Sequence, residues 1–142
     1  MKHQVILDTG PLVALLNRGD RHHQWVREQW ARIAPPLFTC EAVLAEACFL
    51  VRHFPGGQAA VMELARRGIL DLSFRLTEET EVIVRLLKKY QDVPMSLADG
   101  CLVRLAERHA GSVVFTLDSD FSIYRKNGRQ MIPTLTPVIG HS

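Results

Sequence analysis

Short apolar runs alternate along the chain with longer amphipathic stretches of helical length. The runs with the length and residue types of strands are residues 4–8, 37–39, 69–76, 113–116 and 135–139. The stretches with helical periodicity are residues 12–17, 22–33, 40–54, 58–67, 77–90 and 96–109. Helices between strands predict parallel β–α–β units, and strands without polar alternation predict a sheet covered on both faces. The predicted fold is therefore α/β, a three-layer α/β/α sandwich with a short parallel β-sheet, in one domain over residues 1–142.

Composition narrows the class of protein further. Of 142 residues, 47% are hydrophobic and 23% are charged, which suits one folded domain and excludes disorder as the main state. A formal net charge of +2 excludes a polybasic protein that coats nucleic acid by charge alone. Cys40, Cys48 and Cys101 form no close pair, which argues against a disulfide framework and a structural zinc site. With no secretion signal and no membrane-length apolar run, we expect a cytoplasmic protein.

Two carboxylates lie at or just after the carboxyl ends of predicted strands. Asp8 ends the run QVILD, and Asp118 comes shortly after the run VVFT. Ligand sites of parallel sheets form at the carboxyl ends of strands, so both positions suit a functional site. Each residue could equally cap the helix or turn that follows it, with Asp120 sharing that role beside Asp118.

Two further carboxylates lie in apolar helical sequence. Glu46 is the only polar residue of residues 42–51 (AVLAEACFLV), a composition that predicts a buried helix in which an unpaired charge is costly. The alternative is a narrow polar stripe facing solvent. Asp99 lies in Ser96-Leu97-Ala98-Asp99, where Ser96 and Asp99 have the spacing of a helix capping box.

Taken together, these acids predict a metal site at one edge of the sheet. Clustered carboxylates repel one another and raise each other's pKa, and a divalent cation relieves that repulsion. Ligands that are all oxygen favour a hard ion such as Mg²⁺ or Mn²⁺. Such an ion binds phosphate and activates water, which is the chemistry of phosphodiester cleavage.

The motifs resemble those of the PIN-domain nucleases. The resemblance rests on residues 8–15 (DTGPLVAL), the helix with Glu46, residues 96–99 (SLAD) and residues 116–121 (TLDSDF), and it spans nearly the whole chain. The single-domain length is similar to the VapC-type toxins of prokaryotic toxin–antitoxin pairs.

The resemblance implies a metal-dependent endoribonuclease acting as a toxin, with RNA as substrate, a small antitoxin protein as partner and a homodimeric assembly. It implies that one or two Mg²⁺ or Mn²⁺ ions are held by Asp8, Glu46, Asp99 and Asp118. The supporting residues it implies are Thr9, Ser96, Thr116 and Asp120.

Other interpretations remain open or are excluded on particular residues. A PIN ribonuclease of RNA processing without an antitoxin, and a non-catalytic PIN scaffold that binds RNA or protein, both stay open. A haloacid-dehalogenase phosphatase is excluded because Gly10 stands where its second aspartate belongs. We expect Trp25 and Trp30 in the core rather than on a partner surface, and His22 and His23 at a helix start rather than as ligands. The cations that could contact RNA are Arg18, Arg21, Arg52, Lys88, Lys89, Arg104, Arg125, Lys126 and Arg129.

Overall fold

A computed structural model describes residues 3–137 of the chain. Its helices are α1 (Thr9–Leu16), α2 (His23–Trp30), α3 (Glu41–Leu50), α4 (Gly57–Arg66), α5 (Thr80–Lys89) and α6 (Leu97–Arg108). Its strands are β1 (Val5–Leu7), β2 (Leu37–Phe38), β3 (Leu70–Asp71), β4 (Val113–Phe115), β5 (Arg125–Lys126), β6 (Gln130–Met131) and β7 (Thr134–Leu135).

The main sheet is parallel and has the strand order β3-β2-β1-β4-β7. The chain leaves the central strand β1 on one side, builds β2 and β3, and then crosses back to β4 and β7 on the other side. The strand order therefore reverses between β1 and β4, where an open α/β sheet forms its ligand crevice. The predicted α/β/α sandwich and its parallel sheet are confirmed.

The core is centred on the two strands at this reversal. Ile6, Leu7, Val114 and Phe115 are fully buried. The rings of Trp25 and Trp30 pack on Phe115, with centroids 5.8 and 6.3 Å from its ring. Both tryptophans therefore contribute to the core, as expected. The central strands are short, and apolar contacts on both faces fix their position.

Several predicted boundaries are wrong. The strand predicted over residues 69–76 is only the two residues of β3, and the helix predicted over residues 40–54 ends at Leu50. The helix predicted over residues 77–90 is divided into a 3₁₀ turn, Leu76–Glu78, and α5. The division lies at Glu79, whose φ of −120° and ψ of 7° are not helical and whose side chain is buried in an ion pair described below.

The hairpin of β5 and β6 was not among the predicted elements. Its turn contains Asn127 and Gly128, both with positive φ (51° and 81°). Asn-Gly is the commonest short hairpin sequence because both residues tolerate this conformation. Of the last predicted strand, residues 135–139, Leu135 belongs to β7, while residues 138 and 139 lie outside the described residues.

Two further features of the described residues concern helix length and the cysteines. In residues 3–137, no helix combines the length and apolarity needed to cross a membrane. The three cysteines are free thiols, with Cys40 and Cys101 buried and Cys48 half-buried.

Candidate active site

An open cleft of about 620 Å³ lies at the carboxyl ends of β1 and β4. Four carboxylates border it, one from each predicted motif: Asp8, Glu46, Asp99 and Asp118. The hydroxyl residues on its wall are Thr9, Ser96 and Ser119. Among the described residues, no Arg, Lys or His lines this acidic cleft. The fold thus brings four acids separated along the chain to one place, where the described wall supplies no compensating cation.

Asp8 is the most confined of these acids. It caps the N-terminus of α1 and is 6% exposed. Its Oδ1 accepts a hydrogen bond from the Thr9 backbone N–H (2.7 Å), and its Oδ2 accepts one from the Thr116 hydroxyl (2.6 Å). Burial raises the pKa of Asp8 to about 6, the charges of Asp99 and Asp118 add to this effect, and the two hydrogen bonds oppose it.

Thr116 joins the acids that follow the two central strands. It is buried, and its hydroxyl oxygen accepts a hydrogen bond from the Asp118 backbone N–H (2.9 Å) while donating to Asp8. The exposed side chain of Asp118 in turn accepts the Asp120 backbone N–H (2.8 Å). Asp120 lies in a 3₁₀ turn, Ser119–Ser122, and is not part of the cleft wall.

Asp99 lies in the first turn of α6. Ser96 and Asp99 form the predicted capping box, since the Ser96 hydroxyl accepts the Asp99 N–H (3.0 Å) and Asp99 Oδ2 accepts the Ser96 N–H (3.3 Å). Asp99 is 8% exposed. Its burial raises its pKa, as do the charges of Asp118 and Glu46. Capping and a place in the cleft are therefore two roles of one side chain.

Tyr124 is a site residue that the sequence interpretation missed. Its hydroxyl donates to Asp99 Oδ2 (3.0 Å), and its ring is fully buried between those of Tyr90 and Phe121. Burial, followed by the charge of Asp99, raises the pKa of the Tyr124 hydroxyl, so it remains a proton donor. No local motif indicates this contact, because 25 residues separate the two partners.

Glu46 reaches the cleft from a different environment than expected. The prediction of a helix buried all round is wrong: α3 buries Val43, Leu44 and Ala47, and it leaves Glu46 exposed. Glu46 Oε2 accepts a hydrogen bond from the Thr9 hydroxyl (3.1 Å). The exposed face of α3 also carries apolar residues, Ala45, Phe49 and Leu50, which apolar composition alone could not distinguish from core.

The donor set of the acidic cleft fits a hard divalent cation. All four charged groups offer carboxylate oxygen, and two of them have raised pKa values because they are buried near like charges. Within residues 3–137, no three His, Cys, Asp or Glu side chains are arranged so that they could hold a metal ion as they stand. Glu46 and Asp118 are exposed, so their side chains can change rotamer at low cost.

The candidate cations lie outside the acidic cleft. Arg52 stacks on the ring of Phe49, Arg104 pairs with Glu79, and Arg125 donates to backbone carbonyls. His22 is the N-cap residue of α2, and His23 Nδ1 lies 2.7 Å from the Ala14 carbonyl oxygen. Both histidines therefore belong to a helix start, as expected.

Comparisons with known proteins agree with this architecture. The sequence matches the PIN domain family over residues 5–127. Ribonuclease VapC26 of Mycobacterium tuberculosis is 32% identical over 127 residues, which are 87% of this chain and 94% of that protein. The crystal structure of Mycobacterium tuberculosis VapC20, a toxin that cleaves the sarcin-ricin loop, is similar with a TM-score of 0.75 at 21% identity. That similarity covers 84% of this chain and 94% of VapC20.

Proposed function

This chain belongs to the PIN-domain family, and on that premise we propose that it is a metal-dependent endoribonuclease, the toxin of a type II toxin–antitoxin pair. The observation that carries the proposal is the acidic cleft at the strand-order reversal, with four carboxylates and no cation on its described wall. The reaction is hydrolysis of an RNA phosphodiester bond.

Asp8, Glu46, Asp99 and Asp118 are the residues we propose as ligands of Mg²⁺ or Mn²⁺. When bound there, such a cation supplies positive charge to the phosphodiester and lowers the pKa of a water molecule. Asp8 and Asp99 are fixed by hydrogen bonds and provide a rigid side of the site. Glu46 and Asp118 are exposed and provide an adjustable side.

The supporting residues orient these carboxylates. Thr116 donates to Asp8, Thr9 donates to Glu46, and Tyr124 donates to Asp99. The bonds to Asp8 and Asp99 hold buried carboxylates in place, whereas the bond to Glu46 is accepted by an exposed side chain that can still change rotamer. We assign Ser96 to the same task, because its hydroxyl holds the first turn of α6 and its N–H reaches Asp99.

The proposed substrate and partners follow from the relatives. VapC26 is a ribonuclease and VapC20 is a toxin that cleaves the sarcin-ricin loop, so we propose RNA as substrate and a small antitoxin protein as inhibitor. We also propose a homodimer. Phe49 (60% exposed) and Leu50 (49% exposed) supply apolar surface on α3 for protein contacts.

Cleavage of a mixed pool of transfer and ribosomal RNA by the purified chain tests the proposal. The reactions contain Mg²⁺ or Mn²⁺, or EDTA, and the variants are Asp99→Asn and Glu81→Gln. Glu81 is a matched control, because its side chain is 89% exposed on α5. We expect discrete fragments with metal for the wild type and Glu81→Gln, and none with EDTA or Asp99→Asn.

The other outcomes separate the alternatives. Fragments that persist in EDTA would overturn metal dependence. Absence of cleavage, together with absence of Mn²⁺ binding in calorimetry, would indicate a non-catalytic scaffold. If the chain cleaves RNA and no small protein encoded in an adjacent reading frame inhibits it, the result would indicate an RNA-processing enzyme instead of a toxin.

A further inference from the structure

A second cleft adjoins the acidic one. It has a volume of about 430 Å³, and the segment of residues 117–119 borders both clefts. Its remaining wall comes from the turn before α2, from the 3₁₀ turn Ser119–Ser122 and from the region of β7, and includes Arg21, His22, Ser122, Thr134 and Thr136. Apolar atoms form most of its surface, and we call it the polar cleft after the guanidinium, imidazole and hydroxyl groups among its lining side chains.

The two clefts differ in charge. The acidic cleft has four carboxylates and, in the described chain, no cation, whereas the polar cleft has a guanidinium, an imidazole and several hydroxyls, with Asp118 at the shared border. An RNA strand carries one negative charge per nucleotide, so the phosphates beside the scissile one are repelled by the acids. The polar cleft places one guanidinium next to these acids, and a guanidinium can offset such repulsion at a flanking phosphate.

The Arg21 side chain is oriented by a hydrogen bond and has donors left for such a contact. Its Nε–H donates to His22 Nε2 (3.1 Å), which places the proton of a neutral His22 ring on Nδ1. The His22 backbone N–H donates to Asp20 Oδ1 (2.8 Å) and fixes the turn. No carboxylate of residues 3–137 forms an ion pair with Arg21. The guanidinium Nη groups can thus donate to phosphate, for which their planar geometry is suited.

We propose that the polar cleft binds a phosphodiester adjacent to the scissile one, with Arg21 as its ligand and His22 as the residue that orients Arg21. The proposal rests on the proposed ribonuclease function and adds to it the place where the substrate backbone leaves the site. Arg21 then contributes to substrate affinity and register, while the acids carry the chemistry.

The test uses a single-stranded oligonucleotide that contains a cleavage site found in the RNA pool. A series of substrates each carries one neutral methylphosphonate in place of a phosphodiester near that site. Wild type, Arg21→Gln and Arg27→Gln are compared for kcat and KM. Arg27 is a matched control because it lies on α2 but borders a different cleft, with Leu15 and Leu16. Thermal melting verifies that each variant is folded.

We expect Arg21→Gln to raise KM about 10-fold with little change in kcat, and to reduce the dependence of log KM on log salt by about one. One methylphosphonate position should cost the wild type about 10-fold and cost Arg21→Gln almost nothing, because the contact is already lost. Arg27→Gln should behave as wild type.

Additive losses at every methylphosphonate position, or an unchanged KM for Arg21→Gln, would overturn the assignment of the polar cleft while leaving the ribonuclease intact. If the wild type cleaves no RNA in the first assay, that result would overturn the proposed function itself together with this inference. If Arg21→Gln cleaves normally but escapes an inhibiting small protein, the polar cleft is an antitoxin site and not a substrate site.

Discussion

Helix α6 connects two buried carboxylates that are in opposite electrostatic situations. At its N-terminal end, Asp99 is 8% exposed and receives hydrogen bonds from Ser96 and Tyr124, but it has no ion-pair partner among the described residues. Nearer its C-terminal end, Glu79 is 5% exposed and pairs with Arg104 Nε (2.9 Å) and Arg108 Nη1 (3.3 Å). The pKa of Asp99 is raised by its burial, and that of Glu79 is lowered by its bond to Arg104.

The difference shows which property of a buried acid indicates function. Both acids are buried to a similar degree, so burial does not separate them. Glu79 is compensated within the chain and serves the fold, since it links the start of α5 to α6. Asp99 and its neighbours lack internal compensation, and that deficit is what an external cation can satisfy.

The strongest test of this contrast is catalytic. Asp99→Asn should reduce RNA cleavage by about 10³-fold or more, because a proposed metal ligand is lost while its shape is kept. Glu79→Gln should keep cleavage within about 3-fold of wild type at temperatures where it is folded, because Glu79 touches neither cleft that we assign to substrate. Single-turnover cleavage of one oligonucleotide measures both. Equal losses in the two variants would remove the distinction.

The second test is the pH dependence of stability. The pKa of Asp8 is raised from its ordinary value of 3.8 to about 6, so the folded protein binds this proton more tightly than the unfolded chain does. The contribution of Asp8 is fully present below pH ~4 and is lost as pH rises through 6, by up to about 3 kcal/mol. Glu79, with a lowered pKa, acts in the opposite sense, and its contribution is lost as pH falls below its ordinary value of 4.5.

Urea unfolding in EDTA, from pH 4 to pH 7.5, measures this dependence. The stability of Asp8→Asn should increase relative to wild type as pH rises. If the two stability curves remain parallel, Asp8 does not carry the unfavourable charge that its surroundings indicate.

The third test is structural. Glu79→Gln should lower the free energy of unfolding by about 2 kcal/mol, because it removes the buried carboxylate that pairs with the half-buried Arg104 and the exposed Arg108. Arg104 keeps Glu107 as a second partner. Urea unfolding at pH 7.5 measures it. Glu63→Gln is the control: Glu63 also pairs with an arginine, Arg66, but on an exposed helix surface where such pairs contribute little. A Glu79 variant as stable as the Glu63 variant would show that the Glu79 ion pair is dispensable.

The smallest expected effect is on metal affinity, and it concerns the Tyr124 hydroxyl that donates to Asp99. Tyr124→Phe removes the hydrogen bond to Asp99 Oδ2 and keeps the buried ring. We expect the Mn²⁺ concentration for half-maximal cleavage to rise about 10-fold, since orienting partners of metal ligands have effects of this size. kcat at saturating Mn²⁺ should change little. A fall in kcat that excess metal does not restore would instead place Tyr124 in the chemistry.

Local sequence patterns predicted the features that depend on neighbouring residues. The apolar runs located β1, β2 and β4, the Ser96–Asp99 spacing located the capping box, and acids after strands located Asp8 and Asp118 beside each other. The parallel sheet follows from the helices that separate these strands.

Local patterns could not predict features that depend on contacts between residues far apart in the sequence. Nothing near Tyr124 indicates Asp99. Nothing near Glu79, where the predicted helix over residues 77–90 divides, indicates its partners Arg104 and Arg108. The exposure of Glu46 depends on which face of an almost uniformly apolar helix packs inward. The Asn127–Gly128 turn, in contrast, is a local feature that the sequence did contain and that the interpretation overlooked.

The hydrogen bond between Thr116 and Asp8 has a consequence for biosynthesis, because 108 residues separate its partners. During translation, β1 emerges first, and it lacks its central neighbour until β4 has been made. At about 5–20 residues per second, that interval is roughly 5–20 s. Throughout it, Asp8 has neither its hydroxyl partner nor Asp118 beside it. The four carboxylates of the acidic cleft can therefore come together only after residue 118 has been made.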